Sequence, residues 1–250
     1  MIDVHTHILP ALDDGARTQE EAALLMEMEE KQGVKEVVFT PHYYGKKRSL
    51  EQFLVLREEA WSKLRPYMPS GVKKRLGAEV HLTGVNDPSD DALCALSIEG
   101  TSCVLVEFPF YTKWPKSLFV RLSRFIADTG YTPIVAHAER YRELLKNPSV
   151  ATRLVEMGCL IQLNTRAFLE KTTRRFAFAM LKNGLVHCLG TDTHDTDSRA
   201  PDYQAARETV YAAGYGDKWQ RVQTCMRDIL DKRRVRQAYK PVRKFFCRYF

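Results

Sequence analysis

The stretch Ile2-Asp3-Val4-His5-Thr6-His7 joins a short apolar strand directly to two histidines. Side chains two residues apart in an extended chain point to the same side, so His5 and His7 can approach one metal ion together. An HxH pair alone is weak evidence for a metal site. The same arrangement recurs along the chain, and this recurrence predicts both the fold and the site.

Seven short apolar runs predict seven strands, and six of them end in a residue of metal-ligand type. The predicted strands cover residues 2–4, 36–40, 75–78, 104–106, 133–136, 159–163 and 186–190. The residues that follow them, in chain order, are His5, His7, His42, Glu79, Glu107, His137, Asp192 and His194. The remaining strand ends at Asn164. Parallel strands of an α/β barrel open onto one face at their carboxyl ends, where these side chains would meet.

Amphipathic stretches alternate with the strands, which predicts an α/β fold. The predicted helices cover residues 18–32, 50–64, 115–129, 148–157 and 172–183, with closing helices over 202–213 and 219–231. Residues 84–100 are predicted to be a polar loop followed by a short helix. The alternation favours an α/β barrel or an open parallel sheet, in a single domain over 1–231 followed by a tail over 232–250.

Other polar residues near the predicted site are less specific. Asp13 and Asp14 follow the HxH strand closely, and either could reach back to an ion. Arg140 and Arg199 follow His137 and His194, and a guanidinium matches phosphate oxygens. We do not expect His81 or His187 to bind metal.

The composition excludes several classes of protein. The chain has 250 residues, 44% hydrophobic and 28% charged, which excludes a disordered or fibrous protein. It has neither an apolar run long enough to span a membrane nor the features of a signal peptide, so we expect a cytosolic protein. No cysteine has an arginine six positions later, which excludes the C-x5-R loop of thiol-based tyrosine phosphatases. The six cysteines form no CxxC pair, and we expect free thiols.

The positive charge is concentrated in the tail. The formal net charge is +7, yet the eight basic residues from Lys232 onward are accompanied by no acidic one. The body before them carries 30 basic and 31 acidic residues, so we expect no nucleic-acid partner. Basic and aromatic residues together, as in Lys240 to Phe250, can bind an anionic membrane surface. Packing of these aromatics on the barrel is the alternative for the tail.

With these residues assembled, the sequence resembles the polymerase and histidinol phosphatase (PHP) superfamily. Within it, the sequence is most similar to the bacterial manganese-dependent protein tyrosine phosphatases of capsule and exopolysaccharide synthesis. The stretches that carry the resemblance are IDVHTHILPALDDGA from Ile2, GVKEVVFTPHY from Gly33, GAEV from Gly77, VLVEFPF from Val104, GYTPIVAHAERYRE from Gly130 and LGTDTHD from Leu189.

The resemblance implies a distorted seven-stranded barrel that holds three divalent metal ions, with manganese favoured and Fe, Zn or Co as alternatives. It implies that His5, His7, Glu79 and Asp192 bind one ion, that Glu79, Glu107 and His137 bind a second, and that Asp14, His42 and His194 bind the third. Asp14 is chosen over Asp13 because it directly precedes the glycine. Arg140 and Arg199 would hold the phosphate.

The implied reaction is attack of a metal-bound hydroxide on a tyrosyl phosphate. The implied partner is a phosphotyrosine-containing protein, the tail of a bacterial tyrosine kinase that regulates polysaccharide synthesis. The residues by themselves support phosphoester hydrolysis, so a small-molecule phosphatase of the histidinol phosphate type stays an alternative. A nuclease is disfavoured, since the near-neutral body offers no basic groove beyond the tail and the loop Lys46-Lys47-Arg48. A non-enzymatic binding protein is disfavoured because every ligand position is filled.

Overall fold

The computed structural model describes residues 1–82, 90–110, 113–235, 237–245 and 248–249. In these ranges a ring of parallel strands is surrounded by helices. The strands are β1 (Ile2–Thr6), β2 (Glu36–Phe39), β3 (His42–Tyr43), β4 (Lys73–Leu76), β5 (Glu79–His81), β6 (Cys103–Glu107), β7 (Thr132–Val135), β8 (Leu160–Asn164) and β9 (Cys188–Gly190). The predicted α/β class is confirmed.

The strands curl into a distorted barrel with seven positions. One sheet has the order β1-β2-β4 and the other the order β3-β5-β6-β7-β8-β9, and all these neighbours are parallel. The ring returns to its start because Asp192 N donates to His5 O at 2.8 Å and His7 N donates to Thr193 O at 2.9 Å. The open parallel sheet is therefore not the architecture.

Two of the seven positions are interrupted. Residues 75–78 were predicted to form one strand, but the chain forms β4 and β5 in different sheets, with Gly77 and Ala78 between them. The neighbouring position breaks at Pro41, which has no N–H to donate to a sheet ladder. Gly77 N donates instead to Phe39 O, and Glu79 N donates to Pro41 O. The break directs His42 and Glu79 toward the barrel mouth.

The helices lie close to their predicted positions. They are α1 (Gln19–Lys31), α2 (Leu50–Leu64), α3 (Asp90–Leu96), α4 (Lys116–Thr129), α5 (Arg142–Lys146), α6 (Ser149–Glu156), α7 (Arg174–Lys182), α8 (Tyr203–Ala212) and α9 (Gly216–Leu230). Helix α9 begins three residues earlier than predicted, and α5 was not predicted. The short helix expected within 84–100 is α3, whereas the polar loop expected before it lies outside the described residues.

The core fills the barrel and the layer beneath the helices. Strands β1, β2, β6 and β8 are buried along their whole length, as expected of parallel strands that are covered on both faces. Cys94, Cys103, Cys159, Cys188 and Cys225 are free thiols. Within the described part of the chain, no helix combines the length and the apolar character needed to cross a membrane.

The described part of the tail packs on the barrel. Val242 is fully buried, and Gln237 Nε2 donates to Val186 O at 2.8 Å. Two short antiparallel strands, β10 (Lys244–Phe245) and β11 (Arg248–Tyr249), follow. Tyr249 OH donates to Leu145 O at 2.9 Å, while Phe245 is 69% exposed. The tail thus covers the wall of the barrel and exposes part of its aromatic surface.

Candidate metal centre

The two histidines of β1 face each other at the carboxyl end of the barrel. Their Nε2 atoms are 3.1 Å apart, and both rings are fully buried. His5 Nδ1 lies 3.3 Å from Gln162 Oε1, and His7 Nδ1 lies 2.7 Å from Asp13 Oδ2. Both partner oxygens only accept hydrogen bonds, so each ring carries hydrogen at Nδ1. The Nε2 lone pairs are thereby available to a ligand.

Two carboxylates complete this group of four atoms. Glu79 Oε2 lies 3.4 Å from the Nε2 atoms of both His5 and His7, and Asp192 Oδ1 lies 3.5 Å from both. Neighbouring ligand atoms bound to one ion at 2.0–2.2 Å lie about 3.4 Å from each other. Each imidazole nitrogen is spaced in this way from each carboxylate oxygen, and the atoms of His5, His7 and Asp192 all lie close enough to share one divalent cation.

A second group of ligand atoms lies at the outer edge of the first. Asp14 Oδ1 lies 3.4 Å from His42 Nε2 and 3.5 Å from His194 Nε2. His194 Nδ1 donates to Asp192 O at 2.8 Å, which leaves its Nε2 for a ligand. Among the residues that the structure describes, this buried Nε2 has no hydrogen-bond partner. Asp14 has a 65% exposed side chain.

The third group contains the remaining predicted residues. His137 Nε2 lies 2.8 Å from Glu79 Oε1 and 3.4 Å from Glu107 Oε1. His81 Nδ1 contacts the other oxygen of Glu107 at 2.9 Å, which places His81 beside the cluster as a support for Glu107. The structure thus brings all nine predicted metal-ligand side chains to one mouth of the barrel.

These groups merge into one continuous cluster. Among the described residues, three sets of ligand atoms lie close enough to hold an ion: His7, Asp14, His42 and His194; His5, His7 and Asp192; and His42, Glu79 and Glu107. His7 and His42 each belong to two sets. The cluster therefore has room for more than one cation, and its imidazoles lie between neighbouring positions.

The electrostatics of the cluster favour bound positive charge. Burial alone would raise the pKa of Glu79, but His5 and His137 bring it well below its ordinary value. Burial would lower the pKa of His7, yet Asp13 and Glu79 raise it to about 10. Without metal, Asp13 and Glu79 therefore hold a proton on His7, and a divalent cation would replace it.

Both predicted arginines reach the same carboxylate. Asp192 Oδ2 lies 3.4 Å from Arg140 Nη1 and 2.8 Å from Arg199 Nη2. Their side chains are 44% and 35% exposed, so both reach the solvent side of the cluster. A guanidinium has five N–H donors, more than these contacts to Asp192 use. The two arginines can therefore also bind an anion at the mouth.

Three residues position the ligand side chains. The sequence leaves Asp13 open as a metal ligand, and it does not indicate Gln162 or Asn164. Asp13 accepts from His7 Nδ1 and from the backbone N–H of His42, the latter at 2.9 Å. Asn164 Nδ2 donates to Asp192 Oδ2 at 2.9 Å, and Gln162 Nε2 donates to Asn164 Oδ1 at 2.9 Å. One signal could have found these last two residues, because they share the two-residue spacing of His5 and His7.

Aromatic rings flank the cluster. Tyr44 lies 5.2 Å from the His42 ring and 5.3 Å from the His81 ring, measured between centroids. Phe110 stacks on His137 at 5.8 Å. His187, in contrast, is buried away from the cluster, where its Nδ1 accepts from Ile161 N at 3.2 Å. The expectation that His187 is a core residue agrees with this position.

Comparison with known proteins places these observations in a family. Residues 1–226 match the family model described as capsular polysaccharide synthesis, CpsB/CapC. The tyrosine-protein phosphatase CpsB of Streptococcus pneumoniae is 31% identical over 242 residues, covering 87% of this chain and 92% of that protein. The tyrosine-protein phosphatase YwqE of Bacillus subtilis is 30% identical over 206 residues, covering 80% of this chain and 79% of that protein.

A solved structure shows the same fold. It comes from work on YwqE of Bacillus subtilis and CpsB of Streptococcus pneumoniae, which are described there as metal-dependent tyrosine phosphatases. The TM-score is 0.83 at 24% identity, and the superposition covers 98% of this chain and 100% of the other. The similarity therefore extends over the whole barrel.

Proposed function

This chain belongs to the capsular polysaccharide synthesis CpsB/CapC family, and on that basis we propose that it is a metal-dependent protein tyrosine phosphatase. The observation that carries the proposal is the group of four buried ligand atoms on His5, His7, Glu79 and Asp192. The names of the relatives support phosphotyrosine as the substrate.

The proposed cofactor is a set of three divalent ions, with manganese favoured over iron, zinc or cobalt. Imidazole and carboxylate donors accept all four metals. One ion would be held by His5, His7, Glu79 and Asp192, a second by Glu79, Glu107 and His137, and a third by Asp14, His42 and His194. When bound, such cations supply a water of lowered pKa as nucleophile and neutralise charge on the phosphoryl oxygens.

The protein's own residues bind and orient the phosphate. Arg140 and Arg199 both lie against Asp192, which directs their guanidinium groups toward the metal cluster. Each can donate to equatorial oxygens of a phosphomonoester and stabilise the charge that they carry in the transition state. Asp13, Gln162 and Asn164 hold the ligand side chains in place, so little reorganisation is needed when the substrate binds.

The proposed partner is a tyrosine-phosphorylated protein, a bacterial tyrosine kinase that controls polysaccharide synthesis. The proposal includes a cytoplasmic location with contact to the inner face of the membrane. Exposed cations on α7 and the tail support that contact, because Arg174, Arg175, Lys182 and Arg248 border one surface groove together with Tyr249. No nucleic-acid partner is proposed.

Phosphate release from a phosphotyrosyl peptide tests the activity. Protein stripped by a chelator should be inactive and should recover activity with Mn²⁺, while Arg140→Ala and Arg199→Ala should each reduce kcat/KM by about 100-fold. Arg124→Ala, at an exposed position of α4, provides a control with the same change in charge. Recovered activity toward histidinol phosphate alone would replace this proposal with the small-molecule alternative. No activity toward either substrate, with metal bound, would overturn both.

Membrane contact requires a separate test that keeps the tail folded. Removing residues 232–250 would delete the buried Val242 and expose the barrel wall beneath it, so charge reversal is the better change. Arg174→Glu combined with Arg175→Glu should weaken sedimentation with phosphatidylserine vesicles and leave hydrolysis of a small aryl phosphate unchanged. Equal sedimentation of both proteins would contradict membrane contact through this surface.

A further inference from the structure

Phe110 is an exposed aromatic residue at the rim of the metal cluster. It follows β6 by three residues, and its side chain is 48% exposed. Exposure of a large apolar ring is unfavourable by itself, since burying such a ring contributes to stability. An aromatic ring that stays exposed beside a polar site is therefore a candidate ligand-binding surface.

The ring of Phe110 is held in one orientation. It lies 5.8 Å from the His137 ring with an interplanar angle of 20°, and 5.2 Å from the Tyr141 ring with an angle of 26°. Tyr141 is itself fully buried, and its hydroxyl accepts from Phe108 N at 2.9 Å. The inner surroundings of Phe110 are thus rigid.

Phe110 also contacts a phosphate-binding candidate. The Arg140 guanidinium carbon lies 5.1 Å from the centre of the Phe110 ring, within the range of a cation–π interaction. The same arginine reaches Asp192 Oδ2 at the metal cluster. An anion held by Arg140 would therefore lie next to an apolar aromatic surface.

From this juxtaposition we propose that Phe110 binds the phenyl ring of the substrate and thereby selects aryl over alkyl phosphates. In phosphotyrosine a single ester oxygen joins phosphorus to the ring. A phosphate held at Arg140 consequently brings the substrate ring to Phe110, where offset or edge-to-face packing is favourable. A phosphoserine side chain has no ring to make this contact. The inference rests on the proposed function and specifies its substrate site.

A different role for Phe110 would be to position Arg140 alone. In that case its removal would weaken binding of every phosphorus oxyanion by the same factor, because Arg140 meets the anionic group and not the ring. The two roles differ in the ratio of affinities for ligands with and without a ring. That ratio is therefore the quantity to measure.

Binding of benzylphosphonate and methylphosphonate to the Mn²⁺-loaded protein provides this ratio, since the two ligands share a phosphonate and differ in the ring. Phe110→Ala should weaken benzylphosphonate binding about tenfold and methylphosphonate binding less than twofold. Phe110→Trp should retain the preference for the aryl ligand. Tyr211→Ala is the matched control, because Tyr211 is 44% exposed and carries Arg207 at 5.3 Å over its ring.

If Phe110→Ala lowers the affinity for both phosphonates equally, or lowers neither affinity, the inference is overturned. The proposed function is tested independently by the unsubstituted protein. Failure of that protein to hydrolyse a phosphotyrosyl peptide with Mn²⁺ would refute the phosphatase proposal whatever the phosphonate ratio. Hydrolysis by the unsubstituted protein together with an unchanged ratio in Phe110→Ala would refute the role of Phe110 alone.

Discussion

Asp13 Oδ2 lies 2.7 Å from His7 Nδ1, whereas Asp14 lies on the other side of the turn with Oδ1 3.4 Å from His42 Nε2. Adjacent residues thus have different surroundings. The Asp13 side chain is 7% exposed and accepts from the backbone N–H groups of His42 and Gly15. Asp14 is exposed and faces two imidazole nitrogens. This difference supports Asp14 as the metal ligand and Asp13 as the residue that orients His7.

The two aspartates should therefore respond differently to substitution by asparagine. Asp14→Asn should remove one bound metal ion from the protein, as measured by plasma mass spectrometry after gel filtration. Asp13→Asn should retain the number of ions but weaken their affinity by about 10- to 100-fold, because the His7 ring loses its carboxylate partner. Loss of an ion in Asp13→Asn with none lost in Asp14→Asn would reverse the assignment.

Metal removal should lower thermal stability. The ligand atoms of His5 and His7 lie 3.4–3.5 Å from those of Glu79 and Asp192 in the core, so a bound cation would join residues from distant parts of the chain. At a free Mn²⁺ concentration of 100 times Kd, binding to the folded state adds about 2.7 kcal/mol. Calorimetry should show the Tm fall after chelation and recover with Mn²⁺. An unchanged Tm would contradict metal binding at this cluster.

Substitution of Asn164 should lower activity although this residue is not a predicted metal ligand. Its Nδ2 atom donates to Asp192 Oδ2 at 2.9 Å, so Asn164→Ala would remove one of the contacts that orient this carboxylate. We expect kcat/KM to fall about 10- to 100-fold and the Mn²⁺ affinity to fall with it.

A matched control for Asn164 is available outside the barrel mouth. Asn183→Ala removes a side-chain hydrogen bond of equal length, from Nδ2 to Ala179 O at the end of α7. Its kcat/KM should stay within twofold of the parent. Similar losses in both variants would show that Asn164 acts through general stability.

His187 should make unfolding depend on pH. Burial lowers the pKa of its ring from 6.5 to about 4, because the neutral form is favoured in the core. Between pH 6.5 and 4 the unfolded chain binds a proton that the folded chain excludes, so stability falls as pH falls. His187 alone should account for about 2 kcal/mol of the fall between pH 7 and pH 4.5. Urea unfolding at pH 7 and pH 4.5 measures it.

His187→Asn is the variant for that measurement, since its amide oxygen can accept from Ile161 N as the ring nitrogen does. The free energy of unfolding of this variant should vary less with pH over the same window. Parallel pH profiles for the variant and the parent would contradict a buried neutral imidazole. Urea unfolding of both proteins is measured after treatment with a chelator, so that metal binding does not change with pH.

The sequence determined the strand ends and the metal-ligand types, because both follow local rules. A parallel strand places its last residues at the barrel mouth, so His5, Glu107 and Asp192 could be assigned from their positions after apolar runs. Helix ends were also predictable. Gly130 directly follows α4 with a positive φ, the conformation that favours glycine at a helix end.

Only the tertiary structure shows which side chains hydrogen-bond to the ligand residues and which lie beside the proposed substrate site. The contact of Asn164 with Asp192 joins residues 28 positions apart, and that of Gln162 with His5 joins residues 157 apart. The role proposed for Phe110 depends on its contacts with His137 and Arg140, which the sequence does not show. Hydrogen bonds and ring contacts depend on distances of a few ångströms between strands, and periodicity along one chain does not contain those distances. The sequence therefore identifies the candidate ligand residues, and the tertiary structure shows which residues contact and support them.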